Sequence, residues 1–147
     1  LDFEEKLIKS ISQVVNVKSQ SSLRVTEFEL EFDKKELMNI FGYAYLEVNE
    51  EVITENFVTF LPDKHLKLNK GKLDYEIIES KDGYSLKITG DTFMKFVEVK
   101  LEGEDVIFSD NYFHLIPNKE KLISFKSHSN IEEIRKKIKI RSLVDTY

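Results

Sequence analysis

The chain has 147 residues, 41 % hydrophobic and 12 % aromatic, with a formal net charge of −5 and no cysteine. A compact domain of this length buries roughly 70 % of the surface its unfolded form exposes, and so apolar a composition excludes disorder. Missing thiols exclude disulfides, and the acidic balance speaks against nucleic acid, whose phosphates require a basic surface.

No apolar run approaches the ~20 residues of a membrane helix, so no membrane partner is expected. No signal peptide is visible. With the missing cysteines this fits a reducing compartment, and a cytoplasmic location is the expectation. The chain opens on Leu1-Asp2-Phe3-Glu4 rather than on Met, so residue 1 reads as internal to a longer protein.

From the start, Leu7, Ile8, Ile11, Val14 and Val15 have the spacing of a helix face, but residues 1–13 also read as a strand running into Val17. The strand is the favoured reading. Residues 14–17 and 23–32 read as strands flanking a polar turn. In the second, the apolar phase slips from Leu23 and Val25 to Phe28, Leu30 and Phe32, which predicts a bulge. Residues 41–48 and 51–60 predict a hairpin around Asn49-Glu50. The first of these strands is apolar on both faces and is expected to be central and buried. The segment from Pro62 to Gly71 is polar and holds one of only two prolines. It divides the chain into domains 1–66 and 67–147.

Period-2 alternation then dominates. Tyr84, Leu86 and Ile88 alternate with polar residues, as do Val97, Val99 and Leu101. With Asp82-Gly83 and Gly90-Asp91 as turn signals, residues 73–79, 83–89 and 93–102 predict a three-strand meander. Val106-Ile107-Phe108, residues 122–125 and residues 138–143 predict further strands. Residues 130–134 predict a helical turn, with Asn130 as N-cap and Glu133 at the capping-box position. Short strands at this spacing make the chain all-β and indicate an antiparallel β-sandwich.

Candidate chemistry is sparse. His65, His114 and His128 stand far apart without metal-ligand spacing. His65 and His128 read as solvated, and His114, between Phe113 and Leu115, reads as a hydrogen-bonded structural residue. The five glycines form no phosphate loop, and no serine sits in a nucleophile elbow. Glu27, Glu29 and Glu31, and likewise Glu98 and Glu102 with Lys100 between them, read as wet strand faces rather than as a glycosidase pair. The basic run from Arg135 to Arg141 follows Glu132 and Glu133 and is partly balanced. Phe108-Ser109-Asp110-Asn111-Tyr112-Phe113-His114-Leu115-Ile116-Pro117 is the densest segment. Its Ser-Asp-Asn is turn chemistry, in which short polar side chains bond neighbouring backbone. Adjacent Tyr112 and Phe113 must face opposite ways in a strand, so one belongs to the core. The expectation is no catalytic residue, no cofactor-binding residue and no metal ligand.

Three strings in this order carry a resemblance. Residues 108–117 resemble the Ser-Asp-Asn-Tyr/Phe-Phe-x-Leu-x-Pro signature of the last immunoglobulin-like domain in β-mannosidases of the family 2 glycoside hydrolases. Upstream, Glu55-Asn56-Phe57 followed by Pro62 and then Lys64-His65-Leu66-Lys67-Leu68 is similar to the end of the preceding small domain in that family. Ser142-Leu143-Val144-Asp145-Thr146-Tyr147 is similar to the Ser-Leu-x-Asp-x-Tyr terminus. The family often has an acidic residue where His114 stands, and Gly where Asn118 stands.

The resemblance implies an immunoglobulin-like sandwich preceded by part of a second β-sandwich. It implies a parent that hydrolyses terminal β-mannosyl residues through glutamates on a barrel located before this region. This fragment alone is expected to be inactive and to need no cofactor. The partners so implied are that barrel, oligosaccharide and a second copy of the fragment. The alternative is a stand-alone immunoglobulin-fold module that binds carbohydrate or protein.

Overall fold

The computed structural model describes residues 1–146 apart from residues 5, 28 and 30. The chain divides into two compact units, Leu1–Asp2 with Lys6–Leu66 and Phe3–Glu5 with Lys67–Tyr147.

In the first unit, helix α1, Lys34–Leu37, is a single turn. It is closed by a capping box: Asp33 accepts the Lys35 and Glu36 amides, and the Glu36 carboxylate accepts the Asp33 amide at 2.8 Å. Strands β1 (Phe41–Val48) and β2 (Glu51–Thr59) pair antiparallel as the predicted hairpin. Asn49 and Glu50 form the turn with φ of 52° and 67°, the left-handed geometry that matches the twist of two-residue hairpins.

The expectation that residues 41–48 are central and buried is wrong. The sheet has two strands, and only Phe41 within β1 is fully buried, while Tyr45 to Val48 are exposed. Apolar residues on both faces mark a strand that could be covered twice, but pairing decides whether it is. The described residues between 6 and 32 form neither helix nor strand. The strands expected over residues 1–13, 14–17 and 23–32 are absent there, and the bulge placed near residues 28 and 30 falls partly outside the described residues. A strand needs a hydrogen-bonded neighbour, which alternation alone does not supply.

The second unit is an antiparallel sandwich. One sheet has the order β3-β4-β7, from Leu73–Ser80, Gly83–Gly90 and Lys121–Phe125. The other has the order β6-β5-β8, from Phe113–Leu115, Met94–Leu101 and Ile138–Arg141. Ile77, Leu86, Ile88, Ile123 and Phe125 of the first sheet share one core with Val97, Val99, Leu101, Phe113 and Leu115 of the second. Each fully buried aliphatic side chain of this kind contributes about 1.5–3 kcal/mol of transfer free energy.

The predicted meander is therefore only half right. β3 and β4 pair across Lys81-Asp82, but β5 leaves for the opposite sheet, and the strand beside β4 is β7. The corner after β4 explains the departure. The Asp91 amide donates to the Lys72 carbonyl at 3.2 Å, while Asp91 Oδ1 accepts the Lys72 amide at 2.7 Å. Phe93 is buried and stacks on Phe3 at 5.3 Å, and its amide donates to the Phe3 carbonyl. Gly71 passes so close to this corner that an added Cβ would lie 2.3 Å from Thr92 Cγ2.

Val106, Ile107 and Phe108 form no strand; Phe108 makes a lone bridge to Phe125. The predicted final strand ends at Arg141, and Leu143–Thr146 turn as a 3-10 helix. Helix α2, Ile131–Lys137, is longer than the predicted single turn; Asn130 Oδ1 accepts the Glu133 amide at 3.0 Å, and Ile134 is buried.

Candidate functional site

The densest sequence segment lies at one edge of the sandwich, and its polar residues do structural work. Ser109 sits beside β7: its amide donates to the Ser124 carbonyl at 2.8 Å, and its hydroxyl accepts the Ser124 amide at 2.9 Å. Two residues on, Asn111 sits beside β5 in the other sheet. Its Oδ1 accepts the Val99 amide at 2.8 Å, and its Nδ2 donates to the Val99 carbonyl at 2.9 Å. Between them Asp110 pairs with Lys121 at 2.9 Å. Three consecutive side chains thus clip one sheet to the other. The expectation of bonds to neighbouring backbone is met only by Asn111 Oδ1, which also accepts the Tyr112 amide. Turn-forming side chains serve equally well for distant edges when a chain crosses between sheets.

After the clip, Phe113, the first residue of β6, is 7 % exposed in the core, whereas Tyr112, just before the strand, is 58 % exposed. Tyr112 has φ of 58°, and Phe96, at an irregularity in β5, has φ of 49°. Left-handed backbone at bulky non-glycine residues costs on the order of 1–3 kcal/mol each. His114 braces Phe96. Its Nδ1 accepts the Phe96 amide at 3.2 Å, and its ring meets the Phe96 ring edge-on at 5.0 Å. The Lys95 ammonium lies 5.1 Å from the centre of the Phe96 ring.

Glu98, expected on a wet face, instead joins this group, with its side chain only 16 % exposed. The Tyr112 hydroxyl donates to Glu98 Oε1 at 2.8 Å, and Arg141 Nε donates to Glu98 Oε2. The Arg141 guanidinium and then the Tyr112 hydroxyl hold the Glu98 carboxyl below the usual carboxylate range, and the same carboxylate pushes the Tyr112 phenol up. Phe96, Glu98, Tyr112, Arg141, Leu143 and Thr146 line a pocket of about 230 Å³. Pairing across the β5–β8 ladder, with Glu98 opposite Arg141, sets this geometry; sequence reading had no signal for it, since the two residues are 43 positions apart.

Other carboxylates also serve as anchors. Glu104 accepts the His128 amide and the Ser127 and Ser129 hydroxyls, and these bonds, the His128 amide first, hold it below its usual range. Asp145 accepts the Ser142 amide and hydroxyl at 2.9 and 3.0 Å and pairs with Lys70 at 3.1 Å; the Ser142 amide is the main cause of its lowered pKa. A glycosidase general acid requires the opposite shift, upward. His65 lies in the short 3-10 turn Asp63–His65, far in the chain from the group around His114. Among the described residues no three His, Asp or Glu side chains are grouped to hold a metal ion. Arg135 of the basic run pairs with Glu132 and Arg141 with Glu98.

The comparisons with known proteins fit this geometry. The family model Ig_mannosidase, an Ig-fold domain, matches residues 68–146. Among solved structures, the β-D-mannosidase of Dictyoglomus thermophilum superposes with a TM-score of 0.83 at 25 % sequence identity, covering 97 % of this chain. The chain spans only 17 % of that protein's length. None of the curated proteins compared matches the chain.

Proposed function

The chain belongs to the Ig_mannosidase family of Ig-fold domains, and on that premise we propose that it is a non-catalytic accessory region of a β-mannosidase. In this reading the parent enzyme hydrolyses terminal β-mannosyl residues on a catalytic barrel supplied by another part of the polypeptide. The sandwich supports that barrel. The observation that carries the proposal is the superposition on one limited segment of a β-mannosidase, extending through both units of this chain. The engagement of Glu98, Glu104 and Asp145 supports it, because each carboxylate is taken up by hydrogen bonds or ion pairs within the chain.

The test is made on the Dictyoglomus thermophilum enzyme. Its matching segment is deleted, and in a second variant replaced by this chain. The deletion is expected to lower the temperature of inactivation, and the replacement to restore part of the loss. A deletion variant with unchanged turnover and unchanged heat resistance would overturn the supporting role.

A further inference from the structure

The chain carries two exposed surfaces of opposite charge, one on each unit. We propose that they dock on each other between copies, the β1–β2 hairpin of one chain seating on the outer face of the β6-β5-β8 sheet of a second. Each surface belongs to one unit taken by itself, and neither depends on the accessory role.

Charge is uneven along the sequence. Residues 1–66 carry 13 acidic and 7 basic side chains, whereas residues 67–147 carry 14 and 15. The hairpin is the extreme case: from Phe41 to Thr59 it has four glutamates and no Lys or Arg. Glu47, Glu50 and Glu51 stand exposed at its tip, and among the described residues none of their carboxylates has a partner. Around them Leu46, Val48, Val52 and Ile53 are 42–57 % exposed. An exposed apolar patch with a charged rim is the mark of a contact surface.

The receiving face is built by strand register. Because Glu98 stands opposite Arg141 in the β5–β8 ladder, Lys100 stands opposite Lys139. Like charges directly opposite destabilise a sheet, and among the described residues neither lysine makes an ion pair. Lys136 and Lys137 end helix α2 immediately before β8. Glu98 is taken by Arg141 and Tyr112, and Glu132 by Arg135, which leaves Glu102 and Glu133 against four lysines. Four residues back along β5 from Lys100, roughly 14 Å away at strand spacing, Phe96 opens the cleft it shares with Tyr112 and Leu143. The surface of that cleft is almost wholly apolar. The face thus sets an apolar cleft beside a basic end, and the hairpin tip sets aliphatic side chains beside carboxylates.

Complementary charge selects this pairing over its rivals. Two hairpins meeting each other would oppose the glutamates of both, and two receiving faces would oppose their lysines; either sets like charges together. Hairpin on face instead seats an aliphatic side chain of the tip in the cleft and brings its carboxylates to Lys100 and Lys139. The contact joins unlike patches and is therefore heterologous.

The experiment is sedimentation of the whole chain from about 10 μM to 1 mM. A reversible rise in mean mass is expected, with a dissociation constant on the order of 0.1 mM at low salt, since so small a contact lies at the weak end of protein interfaces. Raising the ionic strength to ~0.5 M, which shortens the screening length to about 4 Å, should weaken association about tenfold. Two charge-reversed chains make the sharper comparison. Lys100→Glu with Lys139→Glu, and Glu47→Lys with Glu51→Lys, should each be monomeric alone and should associate when mixed. The heat-unfolding midpoint of each variant checks that it is folded, and the salt series on the unaltered chain reads the proposal even where a variant is not. A monomer up to ~1 mM, association unmoved or strengthened by salt, or folded variants that associate alone or stay apart when mixed would overturn the proposal.

Discussion

At the scale of single residues, side chains stand in for backbone at the sheet edges. Asn111 offers Val99 one acceptor and one donor, as a paired strand would. Asn111→Ala leaves both Val99 groups unpaired in a half-buried position and is expected to cost about 1–3 kcal/mol, read as a lower midpoint in urea unfolding. Tyr112→Phe, which removes only a surface hydroxyl bond, should shift that midpoint much less. Glu104 gives a pH signature. Its folded pKa lies below the ordinary value of 4.5, so its contribution is present above that value and is lost as pH falls through the folded one. Glu104→Gln should therefore lower stability at pH 7, where the contribution is present, and flatten the acid limb of the stability curve below about pH 4.5. An unchanged acid limb would remove Glu104 from the account. These roles were partly legible in sequence. Asn118 stands where the resembling family often has Gly, and it has φ of 58°, a left-handed backbone that Asn tolerates, with its amide bonded to the Gly90 carbonyl. Asn111 was read as a turn former, and nothing local revealed that its partners lay in β5.

At the scale of elements, local signals located strands, and non-local pairing arranged them. Alternation over residues 84–89 and 97–102 marks β4 and β5 because each has one buried face, at Leu86 and Ile88 and at Val97, Val99 and Leu101. The same alternation is compatible with either sheet, so the crossing at Asp91 to Phe93 was not legible. It depends on Phe3, about 90 positions away, whose carbonyl accepts the Thr92 hydroxyl at 2.8 Å. The β1–β2 turn was legible from Asn49-Glu50, and it carries a local conflict. Asn tolerates the left-handed region, whereas Glu50 at φ of 67° does not do so readily. Glu50→Gly relieves a left-handed penalty of about 1–2 kcal/mol against about 0.5–1 kcal/mol of added chain entropy, so it should stabilise the hairpin modestly, seen as slower hydrogen exchange of amides in β1 and β2. Faster exchange would mean that the turn has another geometry.

At the scale of the molecule, the two units differ in how they meet water. The second encloses a continuous core, including Leu86, Ile88 and Ile123 at 0 % exposure. The first leaves Tyr45, Leu46, Val48, Val52, Ile53 and Val58 exposed on its hairpin. Isolated two-stranded hairpins are marginal in water, so this unit is the part of the chain with most to gain from further contacts. The candidate site followed the same division of legibility. The segment 108–117 was conspicuous in sequence, whereas the pocket beside it required Glu98 and Arg141 to be brought together by the β5–β8 ladder. The carboxylates of Glu98, Glu104 and Asp145 all serve as hydrogen-bond anchors within the second unit. The most direct measurement is therefore hydrolysis of an aryl β-mannoside by the purified chain across pH 4 to 8. The account predicts no turnover above the uncatalysed rate at any pH. Sustained hydrolysis that rises in proportion to the concentration of the chain would contradict it.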